Sequence, residues 1–148
     1  IMASSDKRKI VHIHLGGENY KTVMTAGNHE MLSDEPESLG GQDTGPDPYD
    51  YLLMAVGSCS VITMKMYADR KEWPVDDIFI EMRHYKALPE DSESSDDPKK
   101  KVDIIEKEIT VKGNLDEKQR QRLLEISKKC PVHRTLLNRV EFRSTVEG

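Results

Sequence analysis

Aromatic residues are scarce in this chain: five tyrosines, two phenylalanines and one tryptophan make up 5% of 148 residues. Hydrophobic residues of all kinds reach 36% against 33% charged, a thin supply for a self-contained core, so a core shared with a second copy is expected. Cysteine is as sparse. Two thiols, Cys59 and Cys130, make no disulfide scaffold in a chain large enough to build its own core, and leave either inert or redox-active thiols in a reducing compartment. No sustained basic block offsets the net charge of −5, which argues against nucleic acid as a partner. The longest uncharged run, Tyr51 to Met64, is short for a bilayer span and is bracketed by Asp50 and Lys65, so no membrane partner is expected. No charged-then-apolar leader opens the chain, which predicts a cytoplasmic protein; residues 1–7, with Ile1 ahead of Met2, are read as an added remnant or flexible N-terminus outside the fold. Without repeats or a visible boundary, one domain over 1–148 is expected.

The segments that are present alternate in type. Lys9–Leu15, Tyr20–Thr25 and His29–Ser33 read as short strands separated by Gly16-Gly17 and Gly27-Asn28, an antiparallel meander. Residues 34–47, acidic and rich in glycine and proline, read as a loop. Asp47-Pro48-Tyr49-Asp50 then carries the signals of a helix start, with Asp47 as N-cap and Asp50 in the capping-box position. From Tyr51 to Ala68 apolar and small residues occur on every side of the helical wheel, which predicts a helix buried all round. Arg70, Lys71 and Pro74 mark its end. Val75–Lys86 and Val102–Lys112 alternate as strands of a long hairpin, Ile105, Lys107, Ile109 and Val111 sharing one face of the second; Pro89–Lys101 is its polar loop. Asp116 with Gln119 opens a second helix that Pro131 ends at Cys130, residues 131–137 start a further helical turn, and Arg139–Val146 reads as a closing strand. The fold class is α+β.

The chemistry rests on the two thiols. Cys59 lies deep in its helix, beyond reach of the N-terminal dipole, where apolar surroundings raise a thiol's pKa; a plain buried cysteine is the simpler reading. Cys130 stands at a junction of helical segments beside His133 and Arg134, surroundings that favour thiolate, with a bland helix end as the alternative. Cys130 and His133 are half of a zinc pattern, but Cys59, His12, His14, His29 and His84 supply no second pair, so no metal is expected. Asp50 is half a turn out of phase with Cys59 and is explained by the cap. Arg70 shares the phase of Cys59 but lies about 16 Å along the axis. Only a neighbouring antiparallel copy of the helix would bring it closer.

Together GGQDTGPDPYDYLLMAVGSCS, MYADRKEWP and KKCPVHRTL resemble the OsmC/Ohr superfamily of thiol-dependent hydroperoxide reductases, over nearly the whole chain from Lys9 to Val146. The resemblance implies antiparallel sheets wrapped around a long buried central helix in an intertwined homodimer. It implies that Cys59 attacks the O–O bond of an organic hydroperoxide or hydrogen peroxide and becomes a sulfenic acid. Cys130 then resolves it as a disulfide, and an external dithiol, with no bound cofactor, reduces the pair. The family's arginine and glutamate are not matched: Tyr49 stands ten positions before Cys59, Asp50 follows it, and no arginine occurs between Arg8 and Arg70. Arg8, Arg70, Arg134, His133 and Asp50 are the candidates for activating or orienting the thiol. A non-catalytic or weakly redox-active small-molecule binding module on the same fold is the alternative.

Overall fold

The computed structural model describes residues 8–90 and 97–148; the expectation for residues 1–7 and the middle of the polar loop lie outside the described residues. The chain divides into two compact units, Ile1–Leu52 and Leu53–Gly148. In the first, strands β1 (His12–Leu15), β2 (Thr22–Ala26) and β3 (His29–Ser33) form the expected antiparallel meander. Leu15 pairs with Thr22 and Ala26 with His29, which places both turns at the glycines. All of β1 is exposed, His12 and His14 included.

The loop that follows is organised by Asp34, a carboxylate only 3% exposed. It accepts from the N–H groups of Glu35 at 2.7 Å, Gln42 at 3.4 Å and Thr44 at 3.1 Å, and from the Thr44 hydroxyl at 2.6 Å. These bonds, the Thr44 hydroxyl foremost, hold its carboxyl below the ordinary range. A segment without a ladder must satisfy its backbone donors some other way, and one side chain does so here. Helix α1 (Pro48–Arg70) then begins with a reciprocal cap: the Asp50 N–H donates to Asp47 Oδ1 at 2.8 Å and the Asp47 N–H to Asp50 Oδ2 at 3.1 Å. The predicted start and end of this helix both hold.

Within the single chain its burial is one-sided. One stripe is covered, Val56, Ser60, Met64 and Ala68 at four-residue spacing with Gly57 and Cys59 beside it, whereas Met54, Ile62 and Met66 are 52%, 42% and 51% exposed. The physical reason lies in what packs against it. Within the second unit β4 (Val75–Ala87) and β5 (Val102–Gly113) form a two-stranded antiparallel hairpin, and a two-stranded ribbon covers one side of a helix only. Contact is close at Gly57, where a Cβ would stand 3.1 Å from Met82 Cγ. By length and composition α1 could cross a bilayer; its covered stripe is instead packed into a protein core.

That core joins Met64 and Ala68 to Leu115, Leu123 and Ile126, with Tyr67, Trp73, Val75, Ile78, Ile109 and Val111 around them. Helix α2 (Glu117–Ser127) supplies Leu123 and Ile126 and opens with the expected capping box of Asp116 and Gln119. The hairpin closes against Pro74 at Gly113, whose φ of 148° and position, 2.1 Å from a would-be Cβ to the Pro74 carbonyl oxygen, exclude any side chain. Helix α2 ends at Ser127, before the predicted Cys130, and α3 (Pro131–Leu137) follows. The closing strand predicted over Arg139–Val146 is absent: the segment joins no sheet, and Phe142 and Val146 are 88% and 94% exposed. Its alternating pattern is real, but a strand exists only with a partner to take its backbone bonds.

Candidate active site

Pro131 disfavours helical backbone at the residue before it, and Cys130 accordingly takes φ −67°, ψ 144° and becomes the N-cap of α3. Its sulfur accepts the His133 N–H at 3.4 Å. From α1, Ser60 Oγ reaches the same sulfur at 3.4 Å while donating to the Val56 carbonyl at 2.8 Å. A hydroxyl has one proton, so Ser60 keeps the Val56 bond while Cys130 is a thiol and is free to turn that proton toward the sulfur once it ionises. Cys130 is fully buried and Cys59 is 4% exposed. The two thiols, far apart in sequence, lie close enough to shift each other's ionisation.

The pair is electrostatically unequal. Burial above all, and then the Cys130 thiol, push Cys59 upward against the Val132 N–H and the Thr63 hydroxyl. At Cys130 burial also pushes upward, but the Ser60 hydroxyl, the His133 N–H, the Cys59 thiol and the charge of Lys107 together outweigh it and bring that thiol below its usual range. Two coupled thiols lose their protons as a pair.

The cation involved is one the residue-by-residue reading passed over. Lys107 belongs to the inner face of β5, alternating with Ile105, Ile109 and Val111. Its Nζ donates to the Ser127 carbonyl at 2.9 Å and lies 2.7 Å from His133 Nδ1. Burial first, then Lys107 and Lys128, depress the His133 imidazole, so at neutral pH it is uncharged and Nδ1 can accept from the ammonium. The signal was legible: a lysine in the apolar register of a strand, where the other alternating positions are Ile and Val.

Arg70 stacks on the Tyr67 ring at 5.5 Å, Asp50 is occupied at the helix cap, and Arg134 is exposed, its carbonyl accepting from Asn138 Nδ2 at 2.8 Å. His133 does reach the site, through its N–H to Cys130 and its ring to Lys107. Beside this cluster a cavity of about 170 Å³ is lined by Val56, Ile105, Leu136 and Leu137 with Lys107 and His133. An apolar cavity of about 150 Å³ holds a benzene ring, so the space suits a compact apolar group.

Among curated proteins no sequence match is found. Among solved structures the chain resembles the OsmC-like protein of Mycoplasma pneumoniae, with 18% identity, 89% of each chain covered and a TM-score of 0.70. It also resembles an organic hydroperoxide resistance protein from Legionella pneumophila, with 15% identity, 90% of this chain and 91% of that one covered, and a TM-score of 0.64. A third is an organic hydroperoxide resistance protein from Elizabethkingia anophelis, with 14% identity, 90% of each chain covered and a TM-score of 0.64. At such identities the likeness establishes the α+β fold. A sequence profile of the family described as OsmC-like protein matches residues 41–145, from the glycine-rich approach to α1 through both cysteines, and the chain therefore belongs to the OsmC-like family.

Proposed function

We propose that this protein is a thiol-dependent hydroperoxide reductase in which Cys59 and Cys130 form the redox pair. The observation that carries the reading is that the fold brings two buried thiols together, Cys59 from the middle of α1 and Cys130 from the cap of α3, with Ser60, the residue after Cys59, reaching the Cys130 sulfur at 3.4 Å. Cys59, the less buried sulfur, passes its proton to Cys130 and attacks the terminal oxygen of ROOH. The O–O bond breaks, Cys59 becomes a sulfenic acid, and the departing alkoxide takes the proton held by Cys130 to leave as an alcohol. The Cys130 thiolate then displaces hydroxide from Cys59, forming the disulfide, and the hydroxide takes a proton from solvent to become water. An external dithiol, of the kind kept reduced in the cytoplasm, returns both thiols and is itself oxidised. The apolar cavity beside Lys107 and His133 favours organic hydroperoxides over hydrogen peroxide.

With dithiothreitol as reductant, cumene or tert-butyl hydroperoxide is expected to be consumed catalytically, and hydrogen peroxide more slowly at equal concentration. A folded protein that consumes none of the three would overturn the reading and leave a binding module.

The working form we propose is a homodimer. Its support is the exposed apolar side of α1, with Met54, Ile62 and Met66, together with the apolar tail carrying Val140, Phe142 and Val146. Light scattering at micromolar concentration is expected to give twice the chain mass of 16.9 kDa. A persistent monomer would refute it.

A further inference from the structure

A lysine on the apolar face of a strand requires a reason to remain there. Lys107 is half-buried among Ile105, Ile109 and Val111, and burial pulls its pKa down. Buried ammonium groups are normally retained by pairing with a carboxylate. The hydrogen-bond partners of Lys107 are a carbonyl and an uncharged imidazole, and neither brings negative charge. The charged groups that bear on it are Cys130 and Cys59, which favour its ammonium form, and Lys128, which opposes it. His133 in turn faces Lys107 and Lys128. Among the described residues, the negative charge acting on this ammonium comes from the thiol pair.

We infer that Lys107, held in place by the Ser127 carbonyl and the His133 ring, is the counter-ion of a singly ionised Cys59–Cys130 dithiol. The elements involved converge from four places in the chain: α1 brings Cys59 and Ser60, β5 brings Lys107, the end of α2 brings Ser127, and α3 brings Cys130 and His133. In the charged state the sulfur of Cys130 accepts from the His133 N–H and the turned Ser60 hydroxyl, and Lys107 balances the charge. Lys107 is thus a positioning residue that keeps the pair one proton short of two thiols. The inference takes its purpose from the peroxidase reading, but its test does not depend on that reading.

The test is the ultraviolet absorbance of the thiolate, titrated with pH on the fully reduced full-length protein and on three variants. In Lys107→Met and Lys107→Gln the first thiolate of the pair is expected to appear about one pH unit higher than in the wild type, and iodoacetamide alkylation at neutral pH to slow by about tenfold. Lys107→Arg, which keeps the charge, is expected to titrate near the wild type. Thermal unfolding is measured alongside: Lys107→Met is expected to be at least as stable as the wild type, because an apolar side chain replaces an ammonium on an apolar face. Lys107→Gln keeps polar contacts to Ser127 and His133 should Lys107→Met fold poorly. Titrations of the two neutral variants that superimpose on the wild type, or an equal shift in Lys107→Arg, would overturn the inference. Neither readout needs peroxide, so a wild type inactive toward hydroperoxides but showing the Lys107-dependent shift would refute the proposed function and leave the counter-ion standing.

Discussion

Cys59→Ser is expected to lower hydroperoxide consumption to the uncatalysed background, and Cys130→Ser to stop it after one equivalent. The two outcomes differ because the sulfurs have different tasks in a cycle that needs both. Serine matches cysteine in shape, so neither change opens a cavity at these buried positions, and the loss is chemical. Without Cys59 the sulfur nearest solvent is gone, and Cys130, fully buried, meets peroxide poorly. Without Cys130 the sulfenic acid at Cys59 forms more slowly, since its proton acceptor is lost, and then has no thiol to condense with. Intact-mass measurement after one equivalent of cumene hydroperoxide should show a gain of one oxygen in Cys130→Ser, trapped by dimedone. The wild type should lose two hydrogens instead, the mark of a disulfide. Continued turnover by Cys59→Ser with dithiothreitol would refute the assignment of Cys59.

Leu123→Ala is expected to cost about 2–5 kcal/mol of stability, the range for deleting a buried leucine side chain. Leu123 is fully buried and packs with Met64, Ala68, Leu115 and Ile126, so it ties α2 to α1 and to the inner face of the hairpin. The consequence reaches the site. Ser127, which holds Lys107, ends the same helix, and Cys130 follows it by one turn. A loosened α2 therefore displaces the carbonyl and the thiol together. In urea the unfolding midpoint should fall by roughly 1 M or more, given slopes of about 1–3 kcal/mol/M for small proteins. Leu124→Ala is the control: Leu124 is the next residue on the helix but is 37% exposed, and well under half of the effect is expected there. Equal losses at the two positions would mean that α2 is not docked through Leu123.

Most of the elements could be read from the chain because their signals are local. The reciprocal Asp47–Asp50 cap, the Asp116–Gln119 box, the alternation of β4 and β5 and the break at Pro131 each depend on residues within a few positions of one another. Which sides of α1 are covered and whether residues 139–146 pair depend on what lies across the fold. The helical wheel of α1 shows where apolar residues point but not which side a neighbour covers, and a two-stranded hairpin covers one stripe. Residues 139–146 alternate like a strand, but alternation does not supply the edge that would accept the segment's backbone bonds.

The site divides along the same line. Cys59 and Cys130 stood out by their scarcity, and the pull of Pro131 on its predecessor already placed Cys130 at a helix cap. The sequence offers Arg8, Arg70, Arg134, His133 and Asp50 for activating or orienting the thiol; the fold also brings Lys107, from β5, to the His133 ring. Periodicity reports which residues share a face of one element, since backbone geometry repeats every two or 3.6 residues. Which faces meet is decided by packing between elements, and the coupling of two thiols to one half-buried ammonium exists only where α1, β5, α2 and α3 come together.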